Sequence, residues 1–195
     1  MKKILLLLLL SVSLFAVEIR LRPPDKFYNE NNTIKADFHT TKIPLHNKLF
    51  SYIKYGIIIT FTYDIHLFRQ RVLWDSTVTN IKIVKKLKYN IWNNTFYVET
   101  DYPEKKIKLF KNKNKVKNEI FYLNKINISQ KEHLDKNSLY YFKTRLTIKI
   151  TKLKSLLHVI YNLLSIFKYK SSYSSSPLYT TQALLQADVD AFKKP

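Results

Sequence analysis

The chain has 195 residues, a formal net charge of +20 and no cysteine. It therefore carries neither a disulfide nor a thiolate metal site, and its basicity points to anionic partners. A hydrophobic fraction of 46% with 14% aromatics is that of a chain able to bury a core, which excludes a disordered polymer.

Met1-Lys2-Lys3 precedes an apolar run from Ile4 to Leu10 and then Ser11-Val12-Ser13-Leu14-Phe15-Ala16. A positive start, a short apolar run and a small-residue exit form the pattern of a secretory signal, here expected to end at Ala16. The run is shorter than the roughly 20 residues that span a bilayer. It predicts an exported or periplasmic protein and argues against nucleic-acid partners. Residues 17–170 are then expected to form one domain, followed by a serine-rich linker and tail over 171–195.

Beyond Ala16, alternating apolar and polar residues predict strands at Val17–Leu21 and Thr33–Phe38. Pro44 to Tyr55 has helical spacing and stops at Gly56, the only glycine, as expected for a left-handed position after a helix. The clearest alternation follows, with Ile57, Ile59, Phe61, Tyr63, Ile65 and Leu67 on one face. Further strands are expected around Ile81–Ile91, Thr95–Thr100, Lys125–Ile128 and Tyr140–Ile150. A helix is expected over Lys113–Leu123, and an apolar one over Lys152–Ile166 after Thr151 as N-cap. The fold expected is α+β, mainly antiparallel β-sheet with two to three helices packed on one face.

Several pieces carry a family resemblance. A helix ending in Gly56 leads into a long strand, and the turn Arg69-Gln70-Arg71-Val72-Leu73-Trp74-Asp75 follows. Phe96-Tyr97-Val98 and Leu139-Tyr140-Tyr141-Phe142-Lys143-Thr144-Arg145-Leu146 lie beyond. With these, residues 30–170 resemble an uncharacterised family of exported bacterial proteins, domain of unknown function 4390. The resemblance implies an envelope location, and since the family's biochemical role is unassigned it points to no particular activity.

Three groups of residues are candidates for function. Arg69, Arg71, Trp74 and Asp75 could grip an anion, since guanidinium groups bind anions bidentately. The structural alternative has Trp74 anchoring the core and Asp75 capping the turn. Lys86, Lys88, Lys143, Arg145 and Lys149 are expected on the solvent side of adjacent strands as a basic plate. Asp64 and His66, with Thr62, share a polar strand face and could serve acid–base or metal chemistry, but no third group converges in sequence. One glycine cannot build a phosphate loop. No cofactor is expected.

These residues favour a non-enzymatic exported module with a basic surface for an envelope protein, an anionic lipid or a polysaccharide, and a membrane surface is a further candidate. The alternative is an envelope hydrolase acting on a phosphorylated or polysaccharide substrate.

Overall fold

The computed structural model describes residues 20–41, 50, 53, 54, 56–152 and 168–185. The expected signal over 1–16 lies outside them. So do most of the helix expected at Pro44–Tyr55 and nearly all of the one at Lys152–Ile166.

The described chain is mostly antiparallel strand. In order it runs β1 (Lys26–Glu30), β2 (Thr33–His39), β3 (Ile57–Arg69), β4 (Ser76–Asn90), β5 (Thr95–Thr100) and β6 (Lys106–Phe110). Helix α1 (Lys113–Phe121) and β7 (Tyr122–Gln130) follow, then β8 (Leu139–Lys152), β9 (Lys168–Lys170), β10 (Ser174–Ser175), β11 (Tyr179–Thr180) and α2 (Thr181–Leu185). Two helices stand among the described residues. The β-rich α+β architecture is as expected, although packing of two to three helices on one face is not seen there.

Two sheets form the body. The smaller has the order β1-β2-β7. In the larger, β8, β3, β4, β5 and β6 lie side by side, and β9, β10 and β11 pair in turn along the outer edge of β8. The serine-rich stretch that reads as a linker therefore runs beside a strand. Ser171 Oγ and Ser176 Oγ accept from the backbone N–H groups of Leu146 and Phe142 at 3.0 and 2.8 Å.

The core lies between the sheets. Ile59, Phe61, Tyr63, Ile65 and Leu67 of β3 are buried beside Tyr140, Phe142, Leu146 and Ile148 of β8. Ile34, Ala36 and Phe38 of β2 and Leu123, Ile126 and Ile128 of β7 close over them. Phe142 sits at the junction, stacked on Phe27 at 6.0 Å and edge-on to Phe38 at 5.8 Å. Such pairs add to the gain from removing apolar area from water.

Local rules explain several joints. Asn31 and Asn32 take φ of 48° and 62°, the primed turn that joins β1 to β2. Gly56 has φ of 77°, as its position after the expected helix requires. Asn112 caps α1, its Oδ1 accepting from the Asn114 N–H at 2.7 Å. The helix stops at Phe121 because Tyr122 is already extended and begins β7.

Candidate functional site

Alternation along β3, β4 and β8 sends one set of side chains into the core and the other to the outer face of the main sheet. Register arranges that outer face in rows. Phe68 lies between Tyr141 and Thr77, His66 between Lys143 and Asn80, and Asp64 between Arg145 and Lys82. Thr60 then lies between Lys149 and Lys86, with Glu99 next to Lys86 and Tyr97 next to Lys88. Among the described residues, seven cations (Lys82, Lys86, Lys88, Lys143, Arg145, Lys149 and Lys170) thus share the face with two carboxylates, Asp64 and Glu99.

Both carboxylates are occupied. Asp64 Oδ2 accepts from Arg145 Nη2 and Nε at 2.8 and 3.0 Å. Glu99 is approached by Lys105, Lys88 and Lys86 at 3.2, 3.4 and 3.7 Å. Hydrogen bonding from Lys105, aided by the other two lysines, holds the Glu99 carboxyl below its ordinary range.

Aromatic rings interleave with the cations. The Arg145 guanidinium lies 4.4 Å from the Tyr173 ring centre, and Tyr173 meets His66 edge-on at 5.9 Å. His66 stacks on Phe68, and Phe68 on Tyr141 at 5.4 Å. Lys143 covers Phe68 and Tyr141 at 5.1 and 5.5 Å, in cation–π geometry. The Tyr141 hydroxyl donates to Asp75 Oδ2 at 2.5 Å, and burial together with this bond pushes it up to about 12.

The structure separates Arg69 from Arg71. Arg69 ends β3, ion-pairs with Asp135 and donates from Nε to Ser76 Oγ at 3.3 Å. Arg71 lies exposed in the turn, its backbone N–H donating to Asp75 Oδ1 at 3.2 Å. Trp74 does not anchor the core. It is 75% exposed, beside Val72 at 101% and Leu73 at 81%. The turn projects past the ends of its strands, leaving the indole no buried surface to meet.

Asp64 and His66 share the outer face, as their spacing requires, but engage different partners. Asp64 is tied to Arg145, and His66 is held among rings. Thr62 is flanked by Thr147 and Val84 and joins neither. No cluster of three or more His, Cys, Asp or Glu able to hold a metal occurs among the described residues.

A cleft of about 670 Å³ opens on the other side, between β4–β6 and α1–β7. Lys85, Lys106, Lys108, Lys115, Lys125 and Glu119 contribute its charges. Lys85 is the residue sequence reasoning missed. It occupies a core-facing position of β4 and is only 6% exposed. Its Nζ donates to the backbone carbonyls of Glu119 and Tyr122, the latter at 3.3 Å. The Glu119 carbonyl lies in the last turn of α1 and Tyr122 follows directly after it, where helical partners run out and the dipole favours a cation. Burial brings the Lys85 ammonium down to about 8. The signal was a lysine standing where Ile81, Ile83 and Leu87 set an apolar period. Around it, Lys108 is bound to the Glu119 carboxylate at 2.9 Å and Lys125 to Glu30 at 2.5 Å. The cleft's cations mostly hold the structure together.

The fold and these surfaces define a β-rich α+β protein whose free polar chemistry is spread over a sheet face. Residues 27–175, from β1 to the end of β10, match the family described as Domain of unknown function (DUF4390), and the chain belongs to that family. Neither the curated proteins nor the solved structures contain a match.

Proposed function

We propose that the chain is an exported envelope protein that works without catalysis, binding an anionic partner through the outer face of its main sheet. One observation carries the reading: among the described residues seven cations share that face with two carboxylates, both already engaged. Lys82, Lys86 and Lys149 are exposed there, and Lys143 rests on rings instead of on an acid. A face of one sign raises the local concentration of anions and speeds their association. The hydrolase alternative gains no support, since Asp64 and His66 are engaged by different partners.

Titration of the full chain with polyphosphate at low and high salt tests the reading. Binding is expected to weaken steeply with salt, and Lys86→Glu with Lys149→Glu to reduce it about tenfold at low salt. Salt-independent binding, or indifference to the charge reversal, overturns it. Export rests on Met1–Ala16, and fractionation with mass measurement of the amino terminus tests it. Full-length protein in the cytosol sinks that part. The reading also keeps the helices expected at Pro44–Tyr55 and Lys152–Ile166 as cover for one face of the sheet. Protection of both segments in amide exchange is the expected result.

A further inference from the structure

We infer that the β3–β4 turn is a lipid-docking tip: Val72, Leu73 and Trp74 enter the headgroup region of an anionic membrane, and Arg71 meets its phosphates. This goes beyond the proposed function: the lipid surface is a second contact, met by the end of the sheet and not by its outer face.

Three consecutive apolar side chains at 101%, 81% and 75% exposure are far outside the ordinary scatter of single surface apolar residues. They do not stand alone. The Gln70 N–H donates to the Leu139 carbonyl at 2.8 Å, and Tyr179 pairs with Tyr140, which brings exposed Leu139 and Leu178 to the same end of the sheet. The turn itself supplies an indole, whose apolar body and polar N–H suit the boundary between headgroups and acyl chains. Arg71 adds an exposed cation next to the apolar triplet. The carboxylates nearby are engaged: Asp75 by the Tyr141 hydroxyl and the Arg71 N–H, Asp135 by Arg69. Asp135 is neutralised by Arg69, the Asp75 charge stands in the same turn as the Arg71 cation, and the net +20 draws the chain toward an anionic surface.

A bilayer suits this tip better than a protein groove does. The apolar side chains project from a convex turn, and their neighbours offer cationic charge without a matching pattern of free hydrogen-bonding groups. Among the described residues no helix is long and apolar enough to cross a membrane, so docking is to the surface.

The opposite tip provides an internal control. Ile91 and Trp92 in the β4–β5 turn are also exposed, at 62% and 96%, but Asn90, Asn93 and Asn94 flank them in the turn, and the nearby cations Lys54, Lys111 and Lys113 line a pocket beside it. The 15 residues of β4 separate the two turns by about 50 Å at roughly 3.3 Å per residue. A membrane that receives one tip end-on leaves the other in water. Since the chain has two tryptophans, each single substitution leaves one reporter.

The test is tryptophan fluorescence of the full chain with phosphatidylcholine vesicles, with and without phosphatidylglycerol. In Trp92→Phe, the remaining Trp74 emission is expected to shift blue and to escape aqueous iodide on the anionic vesicles. In Trp74→Phe, Trp92 is expected to stay accessible. Leu73→Asp, at an exposed site that leaves folding intact, should weaken vesicle partitioning about tenfold and leave polyphosphate binding unchanged. Unchanged Trp74 emission on vesicles that retain the protein overturns the inference. Equal partitioning of Leu73→Asp, or capture of the tip by a soluble protein in place of vesicles, also overturns it. The basic-face reading fails separately, if Lys86→Glu with Lys149→Glu leaves polyphosphate binding intact.

Discussion

Lys85 and Lys86 are neighbours on β4, yet the two faces of the main sheet treat them oppositely. Lys86 lies exposed on the outer face, 3.7 Å from Glu99 and within reach of water. Lys85 is driven into the core by the strand's period of two, where two helix-end carbonyls replace its water shell. Exposed pairs are worth little, because water and salt screen them and two long side chains must be ordered. A buried ammonium is costly to desolvate, and losing its partners leaves carbonyls unsatisfied. The inner face therefore holds polar groups for stability. The outer face holds them where a partner can reach them.

Substitutions on the two faces break that comparison most sharply at β8. Phe142→Ala removes the ring that joins both sheets and is expected to cost about 3–5 kcal/mol in denaturant unfolding. Its outward neighbour Tyr141→Ala should cost about 1 kcal/mol, the value of a half-buried ring contact. Comparable losses at both positions would mean that the outer face is also packed.

The two lysines come next. Lys85→Met is expected to destabilise by about 2–3 kcal/mol, through the unpaired carbonyls at the end of α1. Lys86→Met should lie within about 0.5 kcal/mol of the unsubstituted chain.

Alkaline titration sharpens the same point. Lys85 is lowered to about 8 in the fold from 10.5. Between these values the unfolded chain binds more protons, so this group's contribution to stability rises with pH. Tyr28 and Tyr141 act in the other direction. Both are raised to about 12 from 10.0, Tyr28 chiefly by its hydrogen bond to Asp37 and Tyr141 chiefly by burial. The folded chain then keeps protons that the unfolded one loses, and stability falls above about pH 10. A melting temperature that climbs from about pH 8 and turns down past about 10 is expected, with the climb absent in Lys85→Met.

The smallest effects are expected at the tips. Trp74→Ser and Trp92→Ser should each change stability by no more than about 0.5 kcal/mol, since neither indole is buried. A loss of several times that in thermal unfolding would place one of them in the core after all.

Much of this is legible where one strand face is apolar. β3 and β5 follow the alternation almost residue for residue, and α1 begins at the expected Lys113. β1 escapes the pattern because Phe27 alone faces the core, although Asn31-Asn32 offers the hairpin signal. β6 escapes it for the opposite reason: it is an edge strand with Ile107 and Leu109 exposed, so no buried face imposes a period. Alternation is equally absent from β10, where Ser174 and Ser175 pair with β8 through backbone groups, and backbone pairing leaves little mark on composition.

At the site, parity alone puts Lys143, Arg145, Lys86 and Lys149 on the outward face. Lys85 and Trp74 are not legible in this way, because both break the rule that residue type predicts burial.

Local order in the chain determined which residues alternate, where α1 is capped and which side of each strand carries charge. These follow from backbone geometry and the aversion of apolar groups to water, which act over a few residues. Only the tertiary structure decided that the α1 carbonyls meet Lys85, that Asp64 finds Arg145 and that Trp74 finds nothing to pack against. Those outcomes depend on groups distant in sequence arriving at one place, and on whether a turn ends inside or outside the packed layers.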